Sequence, residues 1–177
     1  MIEGTKCINI ILKVRKIGKW EEVNTRDLFK GKRVILFSLP GAFTPICSEK
    51  QLPGFEKNYE RLCKMGIDEI YCISVNDGFV MNAWADQQQL QKVKVLPDGN
   101  ADFTRSMGML IQKNHVGFGV RSWRYCTIIN DEIIEKWWQE RGINNIGNDL
   151  DPYEDTTPEN CIKYLKGLAS SKTLKSA

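Results

Sequence analysis

The stretch Ser38-Leu39-Pro40-Gly41-Ala42-Phe43-Thr44-Pro45-Ile46-Cys47-Ser48 joins strand-type residues to helical ones and puts one cysteine at the junction. Upstream, Arg33-Val34-Ile35-Leu36-Phe37 is short, apolar and β-prone, which predicts a buried strand over Val34 to Ser38. The Pro-Gly and Thr-Pro pairs mark a turn, and Ser48 to Lys64 has a largely amphipathic helical spacing. Pro53 sits awkwardly in such a helix and predicts either a kink or regular winding delayed by a turn. Unpaired backbone N–H groups and the positive end of the helix macrodipole lie where Cys47 falls, and both stabilise a thiolate relative to a thiol. A buried cysteine can equally serve as a small hydrophobe. The flanking sequence has to decide between the two.

After this junction the pattern alternates, with a strand at Glu69 to Val75, a helix from about Phe79 to Gln91 and a strand at Lys94 to Leu96. A β-α-β-α-β order implies parallel strands joined by right-handed crossovers. Asp77-Gly78 and Pro97-Asp98-Gly99 punctuate these elements, and a short helix is expected near Ala101 to Met107. Arg124 to Ile129 and Glu132 to Trp137 flank Asn130-Asp131 and read as a β-hairpin. Arg141 to Asp155, rich in Gly, Asn and Asp, reads as a loop. A last helix is predicted from Thr157 as cap, through Pro158 at the first helical position, to about Leu168. Ala169 to Ala177 is expected to be a frayed tail. Before the junction, Ile8 to Val14 and Trp20 to Val23 read as edge strands, followed by a short helix at Thr25 to Phe29 capped by Thr25. The expected fold is α/β and thioredoxin-like, one domain over residues 1–168 with a central mixed sheet flanked by helices on both faces.

A chain of 177 residues, 42% hydrophobic and 27% charged, can bury its own core without staples. Its net charge of +3 and lack of a polybasic cluster argue against nucleic-acid binding. No apolar run approaches the ~20 residues of a membrane helix, and the first residues lack the uninterrupted apolar core of a secretory signal. Cysteines at Cys7, Cys47, Cys63, Cys72, Cys126 and Cys161 include no C-x-x-C pair, which argues against a zinc knuckle and a thioredoxin-type dithiol. Reduced thiols in the cytoplasm are expected, with a mitochondrion or plastid as the alternative if a leader has been removed.

The segment Pro40 to Ser48 resembles the peroxidatic loop of a peroxiredoxin. Leu52-Pro53-Gly54-Phe55, Tyr71 to Asp77, Met81-Asn82-Ala83-Trp84, Leu96 to Asn100 and Gly117 to Tyr125 follow the atypical type II, peroxiredoxin-five subfamily in order and spacing. The resemblance covers roughly Leu28 to Leu168 and implies a thiol-dependent peroxidase with neither cofactor nor metal. By it, Cys47 attacks one peroxide oxygen and becomes a sulfenic acid. Thr44 turns its hydroxyl toward sulfur or peroxide, and Arg124 holds the thiolate and the developing negative charge. Arg121 is the nearest rival of Arg124. Pro40 either shields the sulfur from water or simply forms the turn. His115, the only histidine, is not expected to take part.

A second thiol must restore the sulfenic acid. Cys72, 25 residues beyond Cys47, matches the resolving cysteine proposed for plant members, but its strand context fits inert packing as well. The animal-type resolving position falls in Asp151 to Thr157, which holds no cysteine, and Cys161 lies beyond it inside the predicted helix. One-cysteine cycling with glutathione, often delivered through a glutaredoxin, is therefore expected, with thioredoxin as the other reductant. The resemblance also implies a homodimer, for which Phe43, Phe79 and Trp84 are candidate contacts. The competing reading is a redox-sensing or chaperone-like binding protein on the same fold.

Overall fold

The structure is a computed structural model that describes residues 2–147 and 150–175, with side chains as far as residue 171. The chain opens on a hairpin of β1 (Ile11–Lys16) and β2 (Lys19–Asn24), paired in register from Ile11 opposite Asn24 to Lys16 opposite Lys19. Helix α1 (Thr25–Phe29) follows, and its cap is Asn24, whose side chain accepts from the Arg26 N–H. The expected cap, Thr25, has moved inward: its hydroxyl accepts from the Ile10 N–H at 2.9 Å and donates to the Ile8 carbonyl at 3.1 Å. Those bonds satisfy a partly buried loop backbone, a demand no local pattern announces.

The apolar run forms β3 (Arg33–Ser38), and after the Pro40 loop and the Cys47 turn come α2 (Leu52–Cys63) and β4 (Glu69–Ser74). Helix α3 (Gly78–Gln87) is capped by the Asp77 carboxylate, which accepts from the N–H groups of Phe79 and Val80. Strand β5 (Lys94–Pro97) and helix α4 (Asp102–Ser106) complete this half. Three-residue strands β6 (Leu110–Gln112) and β7 (Val120–Ser122) then pair around a single 3₁₀ turn at Asn114–Val116. Neither strand was expected, because three residues are too few to show a period. Strands β8 (Tyr125–Asn130) and β9 (Ile133–Gln139) form the expected hairpin, turned by Asp131 and Glu132, both at positive φ. The turn thus sits one residue later than Asn130-Asp131 suggested.

Helix α5 (Pro158–Lys175) begins at the predicted proline but does not stop near Leu168. Beyond Gly167 no proline interrupts a stretch of Ala, Leu, Lys, Ser and Thr, and the Ser170 and Ser171 hydroxyls donate back to Lys166 and Gly167 carbonyls. The stretch expected to be a frayed tail is therefore helical through Lys175. Residues 176 and 177 lie outside the described residues.

The main sheet has the order β5-β4-β3-β8-β9, with β5, β4 and β3 parallel and β8 and β9 antiparallel. It is the mixed thioredoxin-like sheet that the sequence predicts. On β3, Ile35 and Phe37 face a cluster with α2 and α5, while Val34 and Leu36 face one with β1, Phe29, Phe103 of α4 and Met107 just beyond that helix. Burial on both faces explains why β3 reads as an unbroken apolar run. Phe37 stacks on Phe55 of α2 with ring centroids 4.2 Å apart, fastening the helix that follows Cys47 to the strand that precedes it.

The adjacent Trp137 and Trp138 point to opposite faces of β9, as consecutive strand residues must. Trp137 stacks on Tyr125 at 4.7 Å, and Trp138 meets Tyr164 of α5 edge to face at 5.8 Å. Each face of this edge strand thus has its own aromatic cover.

Candidate active site

Helical backbone begins at Pro45, whose fixed φ suits the first helical position, and the Ser48 N–H closes on the Thr44 carbonyl at 2.9 Å. Cys47 therefore occupies the first turn, not the residue before it. From Cys47 to Gln51 the winding widens to a π-helical turn, and the Leu52 N–H returns to the Cys47 carbonyl. Pro53 accounts for this. In regular α-winding its ring would meet the Glu49 carbonyl four residues back, and it has no N–H to offer there. The wider turn removes the conflict, so Pro53 delays the regular helix until Leu52 instead of kinking it.

Cys47 is fully buried, and Arg124, just ahead of β8, is 2% exposed. The Arg124 guanidinium gathers four acceptors. Nη1 donates to the Cys47 sulfur at 3.4 Å and to Oε1 of Gln51. Nε donates to the Pro152 carbonyl at 3.1 Å, and Nη2 pairs with the Asp151 carboxylate. The Tyr153 ring lies 5.7 Å from the guanidinium carbon. Burial by itself would favour the neutral guanidine, but the charges of Cys47 and Asp151 more than offset it and raise the Arg124 pKa above its ordinary value. A permanent cation thus faces the sulfur in a site from which water is largely excluded.

Arg121, the sequence rival, is elsewhere. Its Nη1 donates to the Val75 carbonyl and its guanidinium lies over Phe118. Thr44 is on the Cys47 turn, with its hydroxyl donating to the Gly41 carbonyl at 2.8 Å, which leaves the oxygen lone pairs as acceptors. Pro40 is buried beside it. A hollow of about 200 Å³ opens over this loop, lined by Pro40, Thr44, Val116, Phe118, Leu150 and Asp151 among others. Its walls are largely apolar with a carboxylate at the edge. His115 also borders it.

The strand residues Cys72 and Cys126 flank Phe37 in register, one on each side. Cys72 is completely enclosed, and burial first, then the charge of Cys47, pushes its thiol well above the ordinary value. All six cysteines are free thiols. Trp84, expected at a dimer surface, is fully buried; its indole N–H donates to the Ser48 hydroxyl at 3.0 Å, bracing the residue next to Cys47. Phe43 and Phe79 are about half exposed.

Three residues of this site escape a reading of the sequence. Gln51 could have been found, since a position four beyond Cys47 returns to the same side of a helical turn. Asp151 and Glu140 could not, lying in or next to a loop with no pattern. The buried Glu140 carboxylate accepts from the N–H groups of Glu154, Asp155 and Thr156 and from the Thr156 hydroxyl. Its backbone N–H donates to the Arg124 carbonyl at 3.1 Å. One residue thereby ties the Arg124 backbone to the segment that supplies Asp151 and Pro152.

The Redoxin family model matches residues 15–154 of this chain. A peroxiredoxin of Rhizobium etli is 56% identical over 151 residues, covering 85% of this chain and 84% of its own. The hybrid peroxiredoxin hyPrx5 of Haemophilus influenzae is 42% identical over 164 residues, 93% of this chain and 66% of its own length. Among solved structures, the Plasmodium falciparum antioxidant protein, a 1-Cys peroxiredoxin, superposes with a TM-score of 0.88 at 34% identity, covering 93% of this chain and 99% of that one.

Proposed function

The chain belongs to the peroxiredoxins of the Redoxin family, thiol peroxidases that act on peroxide, and from that premise we propose that Cys47 is its peroxidatic cysteine and that it cycles alone. The observation that carries this is the Arg124 guanidinium held against the Cys47 sulfur. The Cys47 thiolate attacks one oxygen of hydrogen peroxide or an alkyl hydroperoxide entering through the hollow, and the O–O bond breaks. The sulfur becomes a sulfenic acid, while the departing oxygen takes up a proton, equivalent to the one the Cys47 thiol released to solvent on ionising, and leaves as water or alcohol. Arg124 donates to the attacking sulfur and the adjacent oxygen as charge shifts between them. Thr44 accepts a hydrogen bond from the peroxide O–H through its lone pairs, and Pro40 walls off water.

Glutathione, alone or with a glutaredoxin, then displaces water from the sulfenic sulfur, and a second thiol releases the mixed disulfide; thioredoxin is the other candidate reductant. Cys72 is set aside as resolving thiol because it is enclosed on a central strand as a protonated thiol. The 1-Cys designation of the Plasmodium relative favours the same reading. Exposed Phe43 and Phe79 are contacts for a homodimer, and six free thiols suit a reducing compartment such as the cytoplasm.

Peroxide consumption with each reductant supplied separately tests this. Cys47→Ser should abolish turnover, and Cys72→Ser should leave it within about twofold of wild type. A Cys47–Cys72 disulfide as the main product of one equivalent of peroxide would overturn one-cysteine cycling.

A further inference from the structure

Two thiols that the peroxidase cycle does not use lie against each other. Cys126 is on β8 and Cys161 is in the first turn of α5, both are buried, and their sulfurs are 3.6 Å apart. A disulfide needs the sulfurs to close to about 2.05 Å, a shift of about 1.6 Å. The elements they sit on also matter. Arg124 stands two residues before Cys126, and the segment carrying Asp151 and Pro152 runs directly into α5. The two sulfurs therefore meet across the same pair of segments that the Arg124 guanidinium spans. Packing alone explains a single buried cysteine. It does not call for two sulfurs in contact, one of them two residues along the chain from the site's arginine, in a protein whose substrate is an oxidant.

The geometry points to Cys126 and Cys161 as a second redox site, a dithiol that excess peroxide closes to a disulfide stapling α5 to the central sheet. One of the two, as thiolate, attacks the peroxide; the O–O bond breaks, alcohol or water leaves, and a sulfenic acid forms. The other sulfur attacks the sulfenic sulfur, the S–O bond breaks, and hydroxide departs with the thiol proton as a second water. The pair loses two electrons and two protons, and one peroxide is reduced. Burial and the neighbouring Cys161 hold the Cys126 proton tightly, so the thiolate is scarce and the pair reacts after Cys47. Closing a loop of roughly 35 residues restricts the unfolded chain, and the linked protein should melt higher by on the order of 5–10 °C.

The test uses the full chain, wild type and Cys47→Ser, treated with excess hydrogen peroxide, blocked with N-ethylmaleimide in denaturant and mapped by mass without reduction. A peptide pair linked through Cys126 and Cys161 in both proteins, lost on adding dithiothreitol, is the expected result, with the higher Tm reverting in parallel. Recovery of both cysteines as maleimide adducts, from wild-type protein whose Cys47 is already a sulfinic acid, would overturn the proposal. Because Cys47→Ser cannot turn over peroxide at Cys47, the outcome there is independent of the peroxidase reading.

Discussion

Arg124 is the residue on which the site turns, because a single planar cation meets the Cys47 sulfur, Gln51, Asp151 and the Pro152 carbonyl at once. A lysine has one compact charged head and cannot reach such a set. Arg124→Lys should therefore lose most of what Arg124→Ala loses. For alanine we expect kcat/KM for hydrogen peroxide to fall by about 10²–10³, as when one preorganised donor to a developing charge is removed. Stopped-flow oxidation of Cys47 measures this directly, and a loss below about threefold would show that the guanidinium is not engaged in the transition state. The sequence placed Arg124 in this role through resemblance; it had no way to show that Arg121, three residues earlier, turns instead to Val75.

At the scale of elements, the site is a meeting of the Cys47 turn, the start of β8 and the approach to α5, and Glu140 fastens the last two together. Its carboxylate answers three backbone N–H groups and a hydroxyl in the interior, where each unmatched donor is costly. In Glu140→Gln one acceptor oxygen survives, but an NH₂ group now faces backbone donors. A loss of about 2–4 kcal/mol in urea unfolding is expected, together with a drop in kcat/KM of about tenfold as Asp151 and Pro152 release Arg124. Unchanged activity at reduced stability would confine Glu140 to the loop and separate it from the site. The widened turn at Cys47 is an element-level effect of a different kind. Pro53 announces it in the sequence, yet only the fold shows that the conflict is resolved by winding and not by a bend.

For the molecule as a whole, enclosing many ionisable side chains has a consequence at high pH. Burial, the largest influence in each case, raises Cys7 from 9.0 to about 12, Tyr71 from 10.0 to about 12, and Cys72, Cys126 and Tyr125 well above their ordinary values. The unfolded chain releases these protons from about pH 9 upward while the folded chain keeps them. Stability is therefore complete below about pH 9 and lost as pH rises toward 12, with a slope of up to about 1.4 kcal/mol per pH unit for each group. Denaturant midpoints measured at about pH 8 and about pH 10.5 should fall with an unchanged m value; equal midpoints would contradict the enclosure of these groups. The order of the main-sheet strands and the helices between them, the mixed sheet and the cysteine at the head of a helix were legible in the chain, while the short strands β6 and β7 were not. Periodicity, turn residues and the run Pro40 to Ser48 are local, and local patterns survive in one dimension. Trp84 stood only as a candidate dimer contact, since an aromatic is more often core and its helix gave no sign of which side the Ser48 hydroxyl would occupy. Asp151, Glu140 and the contact between Cys126 and Cys161 were invisible for the same reason: each joins segments far apart in the chain through a loop without a pattern. The chain itself singles out Cys47 as the candidate to react, since a strand, a turn and a helix start are written in neighbouring residues and the run Pro40 to Ser48 carries the resemblance to a peroxidatic loop. What surrounds that residue is decided only when β8 and the approach to α5 close over it, because charges and sulfurs interact through distance in space and not along the chain.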